Sequence, residues 1–236
     1  MQFMGKPLRH EHKFYLHAYD YLSIRQRVSA LLPLDRHSLG PDGYGIRSLY
    51  FDGPTDHALH DKVNGVFARD KFRIRIYNGG DKTIKLEQKS KFGNYVHKKS
   101  APLSRSQYDS ILRGDYSAID NSEHPLIREF HIALTHWGYR PITIVDYMRE
   151  AYIREQGDVR ITFDKKLAAG VNGVDLLHPN LVLHEMLDPA LTILEIKYNE
   201  FLADDIRLAA KPAASNRSSI SKYVICRETG MIHFKR

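Results

Sequence analysis

Two adjacent strands that alternate basic and apolar residues constrain the fold of this chain more than any other feature. The segment from Arg69 to Lys91 reads RDKFRIRIYNGGDKTIKLEQKSK. Side chains of an extended strand alternate between two faces, so the basic residues of each strand share one face and the apolar residues share the other. The turn from Asn78 to Asp81 offers the positive φ angles of a tight hairpin, which places the two basic faces side by side. That face would carry Lys71, Arg73, Arg75, Tyr77, Lys85, Glu87, Lys89 and Lys91.

The hairpin concentrates the positive charge of the chain. Residues 67–99 contain 10 Lys and Arg and 3 acidic side chains, and their net charge of +7 equals the formal charge of all 236 residues. Like charges directly opposite each other on paired strands repel. One interpretation is a half-solvated hairpin whose lysines face water, as on many antiparallel sheets. The excess of one sign favours the other interpretation, in which the basic face holds an anion.

The composition is that of a globular protein, with 42% hydrophobic and 27% charged residues. Residues 1–113 carry a net charge of +9 and residues 114–236 carry −2, so the positive field is localised and suits a polyanionic ligand. The single cysteine, Cys226, excludes an internal disulfide and a zinc site built from cysteines. The sequence contains no leader pattern and no run of ~18 apolar residues. We therefore expect one soluble, cytoplasmic domain over residues 1–236.

The hydrophobic periodicity predicts strands mixed with helices in one α+β domain, without an internal repeat or a linker. Besides the 69–91 hairpin, strands are predicted at residues 8–17, 44–52, 95–101, 140–153, 159–164, 182–186 and 192–198. Helices are predicted at residues 18–32, 56–62, 104–113, 122–137 and 201–210, and after the SNRSSISKY loop in a last helix that carries Lys222. Ser104 is the predicted N-cap of its helix, and Gly138 follows the end of another.

Nearly every predicted strand has one face with basic residues and an occasional Glu, opposite an aliphatic or aromatic face. If the apolar faces pack on surrounding helices, the sheet can close with its charged faces inside as a polar-lined barrel. Clustered Arg and Lys recognise phosphate oxygens, and carboxylates among them suit Mg²⁺ or Mn²⁺, which prefer oxygen ligands. The lumen would hold a few carboxylates together with Arg9, Lys13, Arg73, Arg75, Lys85, Lys89, Arg149, Arg160 and Lys197.

The segments that carry a resemblance to a known family are Glu11 to Lys13, Ser48 to Asp52, Lys71 to Tyr77, Leu86 to Lys89, Lys98, Tyr147 to Tyr152, Arg160 to Asp164, Leu194 to Lys197 and Ser221 to Tyr223. In these segments, which follow the family's order over nearly the whole chain, the sequence resembles the triphosphate tunnel metalloenzymes and, within them, the VTC (vacuolar transporter chaperone) polyphosphate polymerase domain. One departure is that Arg9 precedes Glu11 in the first strand, where the broader family often has two glutamates; this resembles the VTC branch.

The resemblance implies an eight-stranded antiparallel β-barrel tunnel with a basic lumen and with helices packed outside. It implies transfer of the γ-phosphate of ATP to a growing polyphosphate chain, with Mn²⁺ or Mg²⁺ as cofactor. The residues expected to act in catalysis are Lys13, Arg73, Arg75, Lys89, Arg149 and Lys222. Further phosphate-binding residues are expected to be Arg9, Lys71, Lys85, Lys98, Arg160 and Lys197. Glu195 is the expected metal ligand, with Glu11 and Glu87 as additional candidates.

Several alternatives stay open on sequence alone. The same tunnel could hydrolyse inorganic, nucleoside or thiamine triphosphate, although hydrolysis must activate water and the sequence offers no obvious base. A non-catalytic module that binds polyphosphate is a further alternative. Nucleic acid is not the expected partner, because base stacking needs aromatic residues on the basic face and only Tyr77 lies there in the central strand. Arg149 and Arg160 are expected to reach the ligand, and the alternative for both is a structural salt bridge.

Overall fold

The structure is a computed structural model that describes residues 2–3, 6–7, 9–93, 95–213 and 218–233. Its strands are β1 (Gln2–Phe3), β2 (Lys6–Pro7), β3 (His10–His17), β4 (Tyr44–Asp52), β5 (Ala68–Tyr77), β6 (Gly80–Phe92), β7 (Tyr95–Leu103), β8 (Arg140–Arg154), β9 (Val159–Gly170), β10 (Leu183–Glu185) and β11 (Leu191–Tyr198). Its α-helices are α1 (Ala18–Leu31), α2 (His57–Val63), α3 (Arg105–Leu112), α4 (Ser117–Asp120), α5 (Pro125–Thr135), α6 (Asp204–Ala209) and α7 (Lys222–His233). Leu8 of the predicted first strand and residues 215–217 of the predicted Ser/Arg loop lie outside these ranges.

One antiparallel sheet organises the molecule. Its strands follow the order β3-β11-β9-β8-β4-β5-β6-β7, and the short β10 pairs with β9. Every neighbouring pair along this path is antiparallel. The prediction of an α+β fold with an antiparallel sheet is therefore confirmed. Among the described residues the sheet has nine strands, because β10 joins the eight strands of the predicted barrel.

The prediction of a closed barrel is wrong. The two edges of the sheet, at β3 and β7, approach each other, but within the described ranges they are joined only by a single bridge between Arg9, just before β3, and Val96 of β7. The edge of β3 is occupied further along, because the backbone N–H of Ser218 donates to the carbonyl of Lys13 at 3.0 Å. The sheet is therefore curled but not closed. The loop that precedes α7 lies along the open seam between its two edges.

The central hairpin has the predicted geometry. Asn78 and Gly79 both have positive φ angles, 53° and 68°, and Tyr77 pairs with Gly80 across the two-residue turn. This arrangement is the tight turn that an Asn-Gly step favours, because Asn and Gly tolerate the left-handed region better than other residues. The turn sets the register that brings the basic residues of β5 and β6 to one face.

The apolar strand faces pack on helices outside the sheet. Phe72 and Ile74 of β5 are buried in a cluster with Tyr108 of α3 and Phe130 of α5. A second outer cluster joins β3, β9 and β11 to α1 and α6 around Leu194. Helix α7 is the exception to the predicted arrangement. Its residues Tyr223 and Cys226 are buried against inward-facing Tyr50, Val145 and Tyr147.

Some element ends differ from the prediction and others agree with it. Helix α5 starts only at Pro125, which suits the first turn of a helix because proline has no N–H to leave unpaired there. Ser104 caps α3 in a capping box with Gln107, as expected for this residue type. Strand β9 continues to Gly170, beyond the predicted end at residue 164. None of the helices in the described part of the chain is long and apolar enough to cross a membrane.

Candidate functional site

A polar cavity of about 540 Å³ lies inside the curled sheet, between its concave face and the start of α7. Cations dominate its lining and far outnumber the acids. The charged lining residues are Arg9, Lys13, Lys71, Arg73, Arg75, Lys89, Lys98, Arg149, Arg160, Lys197 and Lys222, with Glu11, Asp158 and Glu195. A concave surface with this excess of one charge raises the local concentration of anions.

Eleven of the twelve cations predicted from the sequence line this cavity, although ten of them come from seven strands and one helix and Arg9 lies just before β3. Lys85 is the exception. It has the predicted strand parity and pairs with Arg75 in register, but it lies towards the hairpin turn, 6.0 Å from the centre of the Tyr77 ring. Strand parity therefore identifies the face on which a side chain lies, but not its position along the tunnel.

Arg149 forms a buried bidentate ion pair at the base of the cavity. Its guanidinium donates to both carboxylate oxygens of Asp164 at 2.7 Å and approaches Glu195 at 3.4 Å. Lys222 at the start of α7 contacts the same Asp164 carboxylate at 2.5 Å. Arg149 is only 7% exposed and Asp164 is fully buried. The structure thus gives Arg149 the salt-bridge role that the sequence left as an alternative, while its side chain still borders the cavity.

Arg160 is held more loosely at the same wall. It donates to Asp35 at 3.0 Å and to the Tyr44 hydroxyl at 2.5 Å, and about a third of its side chain is exposed. Asp164 and Asp35 are therefore the structural partners that the sequence analysis missed. The sequence did contain one indication for Asp164. It lies four residues after Arg160 on β9, so the alternation of a strand places both side chains on the inward face.

Two ionised carboxylates share one part of the cavity. Glu11 lies 3.0 Å from the ammonium groups of both Lys13 and Lys89. Burial alone would raise the pKa of Glu11, but the charges of Lys13 and Lys89 outweigh it and lower that pKa below its usual range. Glu195 lies 2.7 Å from Lys197. Burial alone would raise the pKa of Glu195 too, but the charges of Lys197 and Lys13 outweigh it and hold that pKa well below its usual value. Both groups are therefore negatively charged at neutral pH.

Glu87 occupies a separate position on β6. It contacts Arg73 at 2.6 Å and Arg75 at 3.5 Å, and it also pairs with Lys98. Burial opposes the charge of Glu87, but these cations, Arg73 first, lower its pKa below the usual range. Three cationic partners favour a counter-ion role, and the assignment of Glu87 as a metal ligand stays a prediction.

The donor set near Glu195 fits a hard divalent cation. Carboxylate oxygens are the ligands that Mg²⁺ and Mn²⁺ prefer. Glu11 and Glu195 line the same cavity, and the Thr162 hydroxyl, which pairs in register with Glu195, is buried without a hydrogen-bond partner. The described residues contain no group of three or more side chains that could hold a metal by themselves. An ion here would therefore need phosphate or water oxygens to complete its shell, as is usual for Mg²⁺ at phosphate sites.

The positive charges of several lysines in the cavity are only partly balanced by nearby carboxylates. Burial, followed by the charge of Lys62, lowers the pKa of Lys71 to about 7. Burial lowers the pKa of Lys89 to about 8 and that of Lys98 to about 8, although each contacts a carboxylate. A bound polyanion would favour the charged ammonium forms and raise these values.

The affinity for triphosphate is expected to fall as the pH rises through 7 and 8. These lysines titrate in that range in the free protein, and their pKa values rise when phosphates bind, so binding takes up protons. Titration calorimetry in buffers of different ionisation enthalpy measures the proton uptake directly. Lys71→Arg keeps its charge at all these pH values and should weaken the pH dependence. Affinity that stays constant across the range in the wild type would contradict the expectation.

Helix α7 is fixed to the sheet next to these lysines. Asp52 at the end of β4 is fully buried and accepts hydrogen bonds from the Tyr223 hydroxyl at 2.7 Å and from the backbone N–H of Ala58 at 3.0 Å. The ammonium group of Lys71 lies 4.2 Å from the centre of the Tyr223 ring. These contacts hold the first turn of α7 against the cavity, and with it Lys222.

The fold and the site define an α+β protein whose curled antiparallel sheet encloses a basic cavity suited to phosphate groups. A family model described as the VTC domain matches residues 8–230, and the chain belongs to this family. Membership supports a protein that acts on polyphosphate or triphosphate. The resemblance seen in the sequence is thereby confirmed.

Solved structures share the fold at low sequence identity. A candidate adenylate cyclase from Vibrio parahaemolyticus is 12% identical, with a TM-score of 0.53 over 93% of this chain and 98% of that one. A candidate adenylate cyclase from Bacillus halodurans is 14% identical, with a TM-score of 0.50 over 90% of this chain and 96% of that one. The search of curated proteins finds no match. At these identities the structural likeness concerns the fold alone.

Proposed function

We propose that this protein is a polyphosphate polymerase that transfers the γ-phosphate of ATP to the end of a growing polyphosphate chain. The observation that carries the proposal is the cavity lining, where eleven cations face three acids inside a curled sheet. Phosphoryl transfer depends mainly on positioning and charge stabilisation, which such a lining can supply.

The residues of the cavity would act by holding and neutralising phosphate oxygens. Arg73 and Arg75 lie on the same face of β5, and Glu87 holds both guanidinium groups from the neighbouring strand. Lys13 and Lys89 converge from β3 and β6 on Glu11. Because these cations are already oriented by carboxylates, little reorganisation is needed when a phosphate chain enters. The residual positive charge of the cavity is then available to the ligand.

The protonation states of the cavity support transfer to phosphate rather than to water. The carboxylates Glu11 and Glu195 are paired with cations and have lowered pKa values, so they are weak bases. Lys71 has a pKa of about 7 in the free protein, but bound phosphates would keep it protonated. A terminal phosphate is already an oxyanion and needs no base, whereas water must lose a proton.

Glu195 and Glu11 would hold Mn²⁺ or Mg²⁺ together with phosphate oxygens, and the bound ion would supply further neutralisation of the transferring phosphoryl group.

Incubation of the pure protein with ATP and Mn²⁺ tests the function when polymer and free phosphate are measured separately. Polymer and ADP are the expected products. Free phosphate without polymer would replace the proposal by a triphosphatase of the same fold. Binding of polyphosphate without any turnover would replace it by a binding module.

Arg75→Ala should weaken triphosphate binding by about 1.5–3 kcal/mol, because it removes a charge-assisted contact in a desolvated cavity. Arg75 is 5% exposed and its Nε donates to the Ser48 hydroxyl at 3.1 Å. Lys82→Ala, at an exposed position of β6 next to the hairpin turn, is the control and should leave the affinity unchanged. Titration calorimetry of both variants gives the comparison. Equal losses in the two variants would place the ligand outside the cavity.

A further inference from the structure

Asp52, the last residue of β4, is a fully buried carboxylate that the proposed catalysis does not use. Its Oδ1 accepts hydrogen bonds from the backbone N–H groups of Gly53 at 2.9 Å and of Ala58 at 3.0 Å. Its Oδ2 accepts from the backbone N–H of Leu59 at 3.2 Å and from the Tyr223 hydroxyl at 2.7 Å. Both oxygens of the carboxylate are therefore satisfied, which offsets the cost of burying it.

These bonds join the end of β4 to two helices. Ala58 and Leu59 lie in the first turn of α2, where a carboxylate is favourable because the helix dipole is positive at that end. Tyr223 lies in the first turn of α7. Burial and the hydrogen bond to Asp52 raise the pKa of Tyr223 well above its usual value, so its hydroxyl stays protonated and can donate. Asp52 therefore fixes the start of α7 relative to β4 and α2.

The ring of Tyr223 lines the basic cavity and contacts groups that the proposed function uses. The ammonium group of Lys71 lies 4.2 Å from the ring centre, within the range of a cation–π interaction. The ring of Tyr50 lies 5.1 Å away between ring centres, and the Tyr50 hydroxyl accepts a hydrogen bond from Arg73 at 2.7 Å. Lys222 precedes Tyr223 in the chain. Three cations of the cavity thus depend on the placement of this tyrosine.

Helix α7 has further contacts that hold it on the sheet. Arg227 donates to Asp56 at 2.8 Å, and Lys222 pairs with Asp164. Removal of the Tyr223 hydroxyl alone should therefore leave the helix docked and loosen only its first turn. A displacement of about 1 Å at a reacting group is enough to cost a large factor in rate.

We propose that Asp52 is a positioning residue for phosphoryl transfer, which acts through the Tyr223 hydroxyl to hold Lys222 and Lys71 in place at the cavity. This inference rests on the proposed function and adds to it a residue that is not among the described residues lining the cavity. The alternative is that Asp52 stabilises the fold without an effect on the reaction.

Tyr223→Phe tests the proposal, because it keeps the ring under Lys71 and removes only the hydroxyl. The matched control is Tyr108→Phe in the outer cluster, which removes a hydrogen bond of 2.8 Å to Asp175. The Tyr108 hydroxyl also accepts from the backbone N–H of Leu176 at 2.7 Å, so the control should lose at least as much stability. Thermal unfolding of both variants measures that loss.

Turnover is measured as ADP release from ATP at saturating Mn²⁺, which counts transfer to phosphate and to water alike. We expect Tyr223→Phe to lower kcat about tenfold or more, because the first turn of α7 is no longer fixed. Its KM for ATP should change at most about twofold, since the cavity keeps its charges. Tyr108→Phe should keep both parameters of the wild type.

Asp52→Asn and the double variant Asp52→Asn/Tyr223→Phe complete a double-mutant cycle. If Asp52 acts through the Tyr223 hydroxyl, kcat of the double variant should equal that of Asp52→Asn within about twofold. Independent effects would multiply instead. If Asp52→Asn does not fold, the comparison of the two phenylalanine variants decides by itself.

A wild-type kcat in Tyr223→Phe would overturn the proposal, and so would an equal loss of kcat in Tyr108→Phe or multiplied losses in the cycle. A wild type that releases no ADP would overturn the proposed function and this inference with it. Release of ADP and free phosphate without polymer would replace the polymerase by a triphosphatase, and the same variants would then decide the role of Asp52 in hydrolysis.

Discussion

Arg149→Met is expected to lower the free energy of unfolding of the ligand-free protein by about 3–5 kcal/mol, because it leaves a buried carboxylate without its main partner. Arg149 makes two hydrogen bonds of 2.7 Å to Asp164, which is fully buried. The loss should fall at the lower end of the range, since Lys222 keeps its contact with Asp164. Urea denaturation monitored by circular dichroism measures it.

Arg160→Met is the matched control for this experiment. Arg160 also pairs with an aspartate, but about a third of its side chain is exposed. The cost of its removal should therefore be smaller. The double variant Arg149→Met/Asp164→Asn should recover part of the stability, because it no longer buries an unpaired charge. An Arg149→Met protein with unchanged stability and greatly reduced triphosphate affinity would instead show that this arginine serves mainly the ligand.

Glu195→Gln is expected to lower turnover by a factor on the order of 10² or more while triphosphate still binds. Gln keeps the size of the side chain and removes its charge, so a hard cation would lose its preferred ligand. The alternative role of Glu195 is to neutralise Lys197, Arg149 and Lys222, which lie at 2.7, 3.4 and 4.0 Å. In that role its loss makes the cavity more positive, so triphosphate should bind as well or better and turnover should be kept.

Two measurements separate these roles. Triphosphate affinity in the absence of divalent cations reports the electrostatic effect alone, and it should not decrease in Glu195→Gln under either role. Turnover across a Mn²⁺ titration reports the metal role. Glu87→Gln is the comparison, because Glu87 contacts Arg73, Arg75 and Lys98 as a counter-ion. Near wild-type turnover of Glu195→Gln at all Mn²⁺ concentrations would end the metal assignment.

The local sequence pattern determined which side chains face inward. The two-residue period of β5 and β6 placed Arg73 and Arg75 opposite Phe72 and Ile74, and the structure has them on the predicted faces. The Asn78 turn and the capping box at Ser104 also follow from local conformational preferences. These features could be predicted because they depend on backbone geometry within a few residues.

Contacts between distant segments were decided by the tertiary structure. The pairing of Arg149 with Asp164 depends on the register between β8 and β9, and the contact with Lys222 depends on α7 packing on the inward face. Parity alone could not tell whether Arg149 serves a ligand or a buried partner.

The open seam also depends on distant segments. It lies where Arg9, just before β3, bridges to Val96 of β7 and where the backbone of Ser218 bonds to the edge of β3 at Lys13. Strand alternation sets the face on which a residue lies, whereas the curl of the sheet and the placement of the last helix determine its neighbours. The curl and the helix placement depend on contacts between residues up to 207 positions apart, which no local period encodes.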